Sequence, residues 1–412
     1  MAKSALSPVV VENKMAKCSA IEIPKESLVL HLYAAGMENL KLEKELVPEI
    51  ADDELLCRTD AVGVCASDYK LIIQGEQHTR VQGKDLAKDP VVPGHEVALT
   101  VARVGKKLQK KYRAGRRFTV QADIYINGVG KAYGYWFPGA FRQWQSVGPV
   151  IYDNGYLLPI PPKLGYSQAA LAEPWACVFF AYEKHRETKS VLPGGTVWYV
   201  GAGPIGMMHA EKGVADGAGR IIVSELNDER IERLRKTLAP LAKKKNVELT
   251  IVDLKTTKVG DVVKPGTVDD VIVVAPVTQA VEEAFTHIAK DGYINVFAGF
   301  PSRDKAFVSI NLNDMHYKNI TMLATSGSPI SSLVKALKES ASGKIDPNNS
   351  VAAVGGMKAA WEGIDAVHKG TFPGKIVIYP QLEDLPLTAT DKLTGGALWS
   401  RDAEAKLMSG KV

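Results

Sequence analysis

Cysteine is scarce in this chain. There are four in 412 residues: Cys18, Cys57, Cys65 and Cys177. That is too few for a disulfide framework, and a reducing cytoplasm is the simplest location. No uninterrupted apolar run reaches membrane-spanning length. The opening stretch MAKSALSPVVVENKMAK holds no apolar core long enough for a signal peptide, so secretion is not expected. A strong charge of one sign is also missing, because 51 Lys and Arg against 46 Asp and Glu leave only +5. The excess sits in short runs such as Lys106-Lys107, Lys110-Lys111, Arg116-Arg117 and Lys243-Lys244-Lys245. No aromatics interleave with them as a nucleic-acid groove requires. Nucleic-acid and membrane partners are therefore not expected. No internal repeat or low-complexity tract is present. What is left is an ordinary globular composition, 46% hydrophobic and 24% charged, long enough for two or three domains.

The texture of the chain changes near residue 165. Before it lie short β-like runs split by Gly, Pro and Asn: SLVLHLYAA, EVALTVARVG, RRFTVQA and FRQWQSVG. From Ser167 to Lys189 the apolar spacing is helical. From Pro193 to about residue 325 strand-like and helical runs alternate. TVWYVGAG, RIIVSEL, VELTIVDL, VDDVIVVAP, YINVFAG and ITMLATSG read as strands. IGMMHAEKGVADGA, DERIERLRKTLAPLAKKK and QAVEEAFTHIA read as helices. That alternation predicts a doubly wound α/β unit, a parallel sheet covered on both faces. From about residue 385 no pattern is visible, and a peripheral tail is expected. Neither that tail nor residues 1–26 carry a functional reading.

Gly201-Ala202-Gly203-Pro204-Ile205-Gly206 ends one of these strands and opens a helix, the context that a GxGxxG turn needs to bind a dinucleotide. Gly201 allows the tight turn, Gly203 lets a pyrophosphate approach, and Gly206 lets helix and strand pack closely. The bland alternative is a tight turn with no ligand. Glu225 tips the balance. It ends the next strand at the distance expected of an acid that binds the ribose 2′-OH. Its carboxylate would repel a 2′-phosphate, which favours NAD(H) and leaves NADP(H) possible. Arg230, nearby, could soften that preference.

A second constellation precedes this unit. GVCASD holds Cys65, Ser67 and Asp68, and PGHE holds His95 and Glu96. ALAEPWAC places Glu173 in an otherwise apolar run. A buried carboxylate is costly unless something positive or hydrogen-bonding meets it. Read alone, Glu173 is a helix-start acid before Pro174; Cys65 is a small buried hydrophobe, and His95 is a loop residue. Together they offer a thiolate, an imidazole and one or two carboxylates, a set that suits a tetrahedral zinc with an exchangeable position.

GVCASD, PGHE, LAEPWAC and GAGPIG, in that order, with GTFPGKIVIYP as a closing strand, resemble the zinc-dependent medium-chain dehydrogenase/reductase superfamily over about residues 28–380. GEQHTRV, DPVVPGHE, KYRAGRRFTVQ, SLVKALKESASGKIDPN and DGYINVFAGFPSRDKAFVSINLNDMHYKNI followed by TSGS are most similar to its L-sorbose-1-phosphate reductase branch.

The resemblance implies a GroES-like β-rich catalytic domain, residues 1–175 completed by 330–412, and a Rossmann domain at 176–329. It implies that Cys65 and His95 ligate a catalytic zinc. Glu173 would stand where alcohol dehydrogenases carry Cys and polyol dehydrogenases carry Glu. Glu96 would be a fourth or alternate ligand, Ser67 the hydroxyl of the proton relay, and Asp68 a carboxylate holding the His95 ring. Gly201, Gly203, Pro204, Ile205, Gly206 and Glu225 would bind the dinucleotide. Many members bind a structural zinc with four closely spaced cysteines. Here no Cys lies between Cys65 and Cys177, so one zinc is expected, and Tyr125, Tyr133, Tyr135, Trp136 and Phe137 would pack that lobe instead.

The implied reaction is hydride transfer between nicotinamide and a ketose or polyol, with a sugar phosphate first and unphosphorylated polyols or alcohols such as sorbitol as the alternative. A phosphate needs Lys or Arg donors; Lys70 and Arg80, with His78, follow the Cys65 loop, while His316, Tyr317 and Lys318 could face the cleft or a subunit contact. A dimer or tetramer is implied by resemblance alone. A zinc-free reductase of quinones or enones would lack the ligand set. A non-enzymatic nucleotide-binding protein would be expected to have lost Ser67 or a ligand.

Overall fold

The protein, seen in a computed structural model, is described for residues 21–300 and 306–411. Cys18 and positions 301–305 of the quoted branch motif lie outside the described residues. Among the described residues no helix is long and apolar enough to cross a membrane.

The strand Leu55–Val64 is the spine of an eight-stranded sheet. It pairs antiparallel with Glu96–Val104, with Lys375–Tyr379 and with Trp144–Val147. Arg117–Val120 and Leu157–Pro159 extend one side, and Val351–Gly356 and Thr388–Ala389 the other. A sheet begun by early residues is thus finished by late ones. Glu26–Leu32 forms a separate hairpin with Leu40–Leu46 and makes isolated bridges to Val91 and Arg142.

The second sheet has six strands, all parallel, in the order Glu248–Asp253, Arg220–Glu225, Thr196–Val200, Val268–Val273, Ile288–Val296, Thr321–Ala324. Successive side chains of a strand point to opposite faces. Val197 and Tyr199 accordingly join one core, with Ala210 and Val214 of the helix Pro204–Ala215. Trp198 and Val200 join the other, with Val281 and Phe285 of the helix Thr278–His287. Both faces are covered, which is why these strands read as continuous apolar runs.

Two expectations change. The helical run at 167–189 is two helices, Tyr166–Ala170 and Ala172–Ala181, and stops there. Asn295 donates to the Ala181 carbonyl at 2.8 Å, and Arg186 adopts φ +57° to reach Asp270 Oδ1 at 2.9 Å. The C-terminal stretch is not peripheral. It adds the strand Thr388–Ala389 and the helix Arg401–Met408, and it buries Trp399. Glu404 is buried because it accepts from the Tyr166 and Ser167 backbone N–H groups, both at 2.6 Å, and from the Tyr379 hydroxyl at 2.9 Å. It caps the N-terminus of Tyr166–Ala170, where a negative charge is favoured.

Candidate active site

Cys65 sits between the spine strand and the helix Ala66–Gln74, as the cap residue of that helix. Asp68, three residues on, turns back so that its Oδ2 accepts the Cys65 backbone N–H at 3.0 Å. Its Oδ1 accepts the Gly94 N–H at 3.2 Å and lies 2.9 Å from His95 Nδ1. One buried carboxylate therefore fixes both segments. Gly94 has φ +93°, and a Cβ there would come within 2.9 Å of the Phe141 ring, so this approach needs glycine. With Nδ1 engaged by Asp68, Nε2 is the imidazole nitrogen left free for a ligand. It lies 3.2 Å from the Ser67 hydroxyl, which donates to Cys65 Sγ at 3.0 Å.

The ligand atoms of Cys65, His95 and Glu96 all lie within 4.8 Å of one another. Glu96 therefore belongs to the inner group, and Glu173 stands beside it. Glu173 occupies the first turn of Ala172–Ala181, buried at 6% exposure, and its one hydrogen-bond partner among the described residues is the Cys177 thiol at 4.0 Å. Burial pushes the Glu173 carboxyl up to about 7; His95 opposes that, and Glu96 and Asp123 add to it. Burial works against a charged His95, yet Asp68 holds it well above the usual histidine range. Burial is thus the main cause of the first shift and the Asp68 carboxylate of the second. Asp68, Glu96, Glu173 and Asp123 crowd a buried space with few positive groups.

That space fits a zinc ion on the side chains' own terms. It offers a thiol, an oriented imidazole and a carboxylate. Glu96 Oε2 is buried without a hydrogen-bond partner among the described residues. An excess of acid is also what a divalent cation would balance.

The proposed phosphate contacts fare differently. Lys70 is exposed on the Cys65 helix. Arg80 is half-buried and already paired with Asp123 Oδ1 at 2.6 Å, its guanidinium 5.2 Å from the Tyr135 ring centre. His78 is pushed down to about 4 by burial and then by Lys70 and Arg80, so it is neutral. His316, Tyr317 and Lys318 lie just before the edge strand Thr321–Ala324. In the aromatic lobe Tyr133 and Tyr135 are buried, whereas Tyr125 is 60% exposed on a short hairpin, which corrects its expected packing role. Asp123 and Lys375 were not singled out from sequence. The signal for Lys375 was a charge opening the apolar strand KIVIY.

The nucleotide elements meet in a cavity of about 420 Å³ lined by Gly201, Gly203, Glu225, Val274, Ala275 and Pro276, among others. It opens where Thr196–Val200 and Val268–Val273 diverge, the point at which strand order reverses and open α/β sheets bind ligands. Gly201 has φ +98°, and a Cβ on Gly206 would sit 2.1 Å from the Gly201 carbonyl oxygen. Glu225 Oε2 accepts the Ala202 N–H at 2.7 Å, and Oε1 accepts those of Leu226 at 2.7 Å and Asn227 at 3.0 Å. An Arg230 guanidinium nitrogen lies 3.7 Å from Glu225.

Residues 51–149 match the alcohol dehydrogenase GroES-like domain family. The chain is 31% identical over 377 residues to mannitol-1-phosphate 5-dehydrogenase of Aliivibrio fischeri, covering 86% of this chain and 87% of that protein. It is 26% identical over 402 residues to L-sorbose 1-phosphate reductase of Klebsiella pneumoniae, covering 92% and 97%. Its fold matches that of 2R,3R-butanediol dehydrogenase from Bacillus subtilis with a TM-score of 0.70 at 22% identity, over 86% of this chain and 99% of that one.

Proposed function

The chain belongs to the zinc-dependent medium-chain dehydrogenase/reductase superfamily and is an enzyme of its NAD(P)-dependent polyol or sugar dehydrogenase type, and from that premise we propose that it interconverts a sugar phosphate ketose and the corresponding polyol phosphate, with NAD(H) preferred. The observation that carries the metal part is the buried Cys65, His95 and Glu96 group with Glu173 beside it. The phosphate part rests on two relatives, each named for a 1-phosphate and aligned over most of its length. In this reading residues 1–175 and 330–412 carry one zinc, residues 176–329 carry the nucleotide, and the enzyme is a cytoplasmic homo-oligomer.

Zinc would supply Lewis acidity to the substrate oxygen and the nicotinamide would supply or take the hydride. The chain's own residues orient and move the proton. Cys65, His95 and Glu173 would hold the ion, with Glu96 as a fourth or alternate ligand that exchanges with substrate or water. Asp68 keeps the His95 ring turned with Nε2 inward. Ser67, within hydrogen-bond reach of the ligand atoms, would accept the alcohol proton and pass it toward solvent. Glu225 would take the ribose hydroxyls and disfavour a 2′-phosphate. Lys70, exposed, and Arg80, once drawn from Asp123, are the cations we assign to the substrate phosphate.

The test pairs metal content with a substrate panel. Purified protein and Glu173→Ala are compared for zinc, and for turnover of mannitol 1-phosphate, L-sorbose 1-phosphate and the free sugars with NAD(H) and NADP(H). About one zinc per chain, reduced in the variant, with turnover of phosphate esters alone, is the expected result. Turnover of free polyols alone would make this a plain polyol dehydrogenase. Nucleotide binding with neither zinc nor turnover would overturn the metal reading.

A further inference from the structure

Lys375 is almost fully buried, at 4% exposure, at the start of the strand Lys375–Tyr379. Its ammonium makes two contacts. One is an ion pair with Glu96 Oε1, the other a hydrogen bond to the Val64 carbonyl at 3.1 Å. Val64 immediately precedes Cys65, and Glu96 immediately follows His95. One side chain from the far end of the sequence thus ties together the two segments that bring the ligands.

The pairing also divides the work of the Glu96 carboxylate. Oε1 is held by Lys375, while Oε2 is buried without a partner among the described residues. Gly63 makes the room: a Cβ at that position would lie 2.0 Å from Oε2. A carboxylate with both oxygens free can offer a metal either one oxygen or two. A carboxylate with one oxygen tied to an ammonium offers one. Cys65 and Glu173 are the next negative groups facing Lys375, so the same charge lies against the whole acidic side of the centre.

We propose that Lys375 is a positioning residue of the metal centre, fixing Glu96 so that only Oε2 faces the Cys65 and His95 ligand atoms and keeping the coordination number low enough to leave a place for substrate. This rests on the zinc reading given above.

The experiment uses cobalt(II) in place of zinc in the full-length protein, because its visible d–d bands report coordination number directly and need no turnover. Wild type is expected to show the intense bands of a four-coordinate, thiolate-ligated ion. Lys375→Met is expected to lose that intensity, because the freed Glu96 brings in its second oxygen. Lys375→Arg, which keeps a charged donor, is expected to retain it. In a Glu96→Gln background the Lys375→Met change is expected to have no further effect on the spectrum.

If Lys375→Met does not fold, Lys375→Gln is read in its place. It is shorter and uncharged, and the same loss is expected. A wild-type spectrum in Lys375→Met or Lys375→Gln would reduce Lys375 to a structural ion pair and overturn the proposal. So would a spectral change that persists in the Glu96→Gln background. Wild type that takes up no cobalt at all would instead overturn the metal reading itself, so the two failures are separable.

Discussion

Asp68 and His95 are joined by a 2.9 Å contact between Oδ1 and Nδ1, inside a cluster where Asp68 is fully buried. The contact fixes which imidazole nitrogen is free, and it raises the basicity of that nitrogen as a ligand. Asp68→Asn keeps the shape and removes the charge. Zinc affinity is expected to fall by about 10- to 100-fold, read by chelator competition, while NADH binding at the other sheet stays unchanged. An unchanged zinc affinity would mean that Asp68 serves only the helix start at Cys65.

Glu225 does two jobs in one position. Its oxygens accept the Ala202 N–H, in the turn after Gly201, and the Leu226 and Asn227 N–H groups that follow its own strand, and in the function proposed above its charge would repel a 2′-phosphate. Arg230 lies 3.7 Å away and also reaches to within 3.9 Å of a Cβ built on Gly203. Glu225→Ser removes the repulsion and frees that guanidinium. The ratio of kcat/KM for NADPH over NADH is expected to rise by about tenfold or more, the equivalent of roughly 1.4 kcal/mol. Steady-state kinetics with both cofactors decide this. A ratio that does not move would assign the preference to another residue.

The buried Glu404 sets the third prediction. It satisfies the Tyr166 and Ser167 N–H groups and the Tyr379 hydroxyl. Glu404→Ala leaves all three buried without a partner, at a cost of about 3 kcal/mol. Asp402, exposed on the same helix, should change stability by less than about 0.5 kcal/mol on substitution by Ala. Thermal melts of the two variants side by side make the comparison. Equal shifts would return the C-terminal segment to the status of a tail.

Glu404 also marks where sequence reading ran out. The inner strands Thr196–Val200 and Val268–Val273 were legible because they are buried on both faces and carry apolar runs, and the other four followed from the alternation of strand-like and helical segments. Glu173 stood out as a carboxylate in an apolar run, whereas Cys65, His95 and Glu96 gained meaning only as a combination and through the ordered motifs that resemble the dehydrogenase superfamily. Glu404 had no such frame. It lies on a short polar helix whose meaning depends on a helix start more than 200 residues earlier in the chain. Lys375 was hidden for a similar reason, since its partner Glu96 is 279 residues away and a lysine opening a strand is usually solvated. Arg80 was legible as a cation but not as one already paired, because Asp123 reaches it only through the folded lobe.

His209 supplies a pH dependence outside the metal centre. It is fully buried on the helix Pro204–Ala215, with Nδ1 3.1 Å from the Tyr182 hydroxyl. Burial, followed by the charges of Lys212 and His185, pushes its pKa down to about 3. In the unfolded chain it would titrate near 6.5. Between those values the unfolded state binds the extra proton and the folded state does not, so stability rises with pH across this window. The contribution is complete above about pH 6.5 and is lost as pH falls toward 3. From pH 6.5 to pH 4 it amounts to about 3 kcal/mol. His209→Gln can still accept from Tyr182 but does not titrate. Whatever the variant costs at pH 7.5, its deficit against wild type is expected to shrink at pH 4 and can reverse there, as read from melts at both pH values. A deficit that stays constant would mean that His209 takes up its proton in the folded state without penalty.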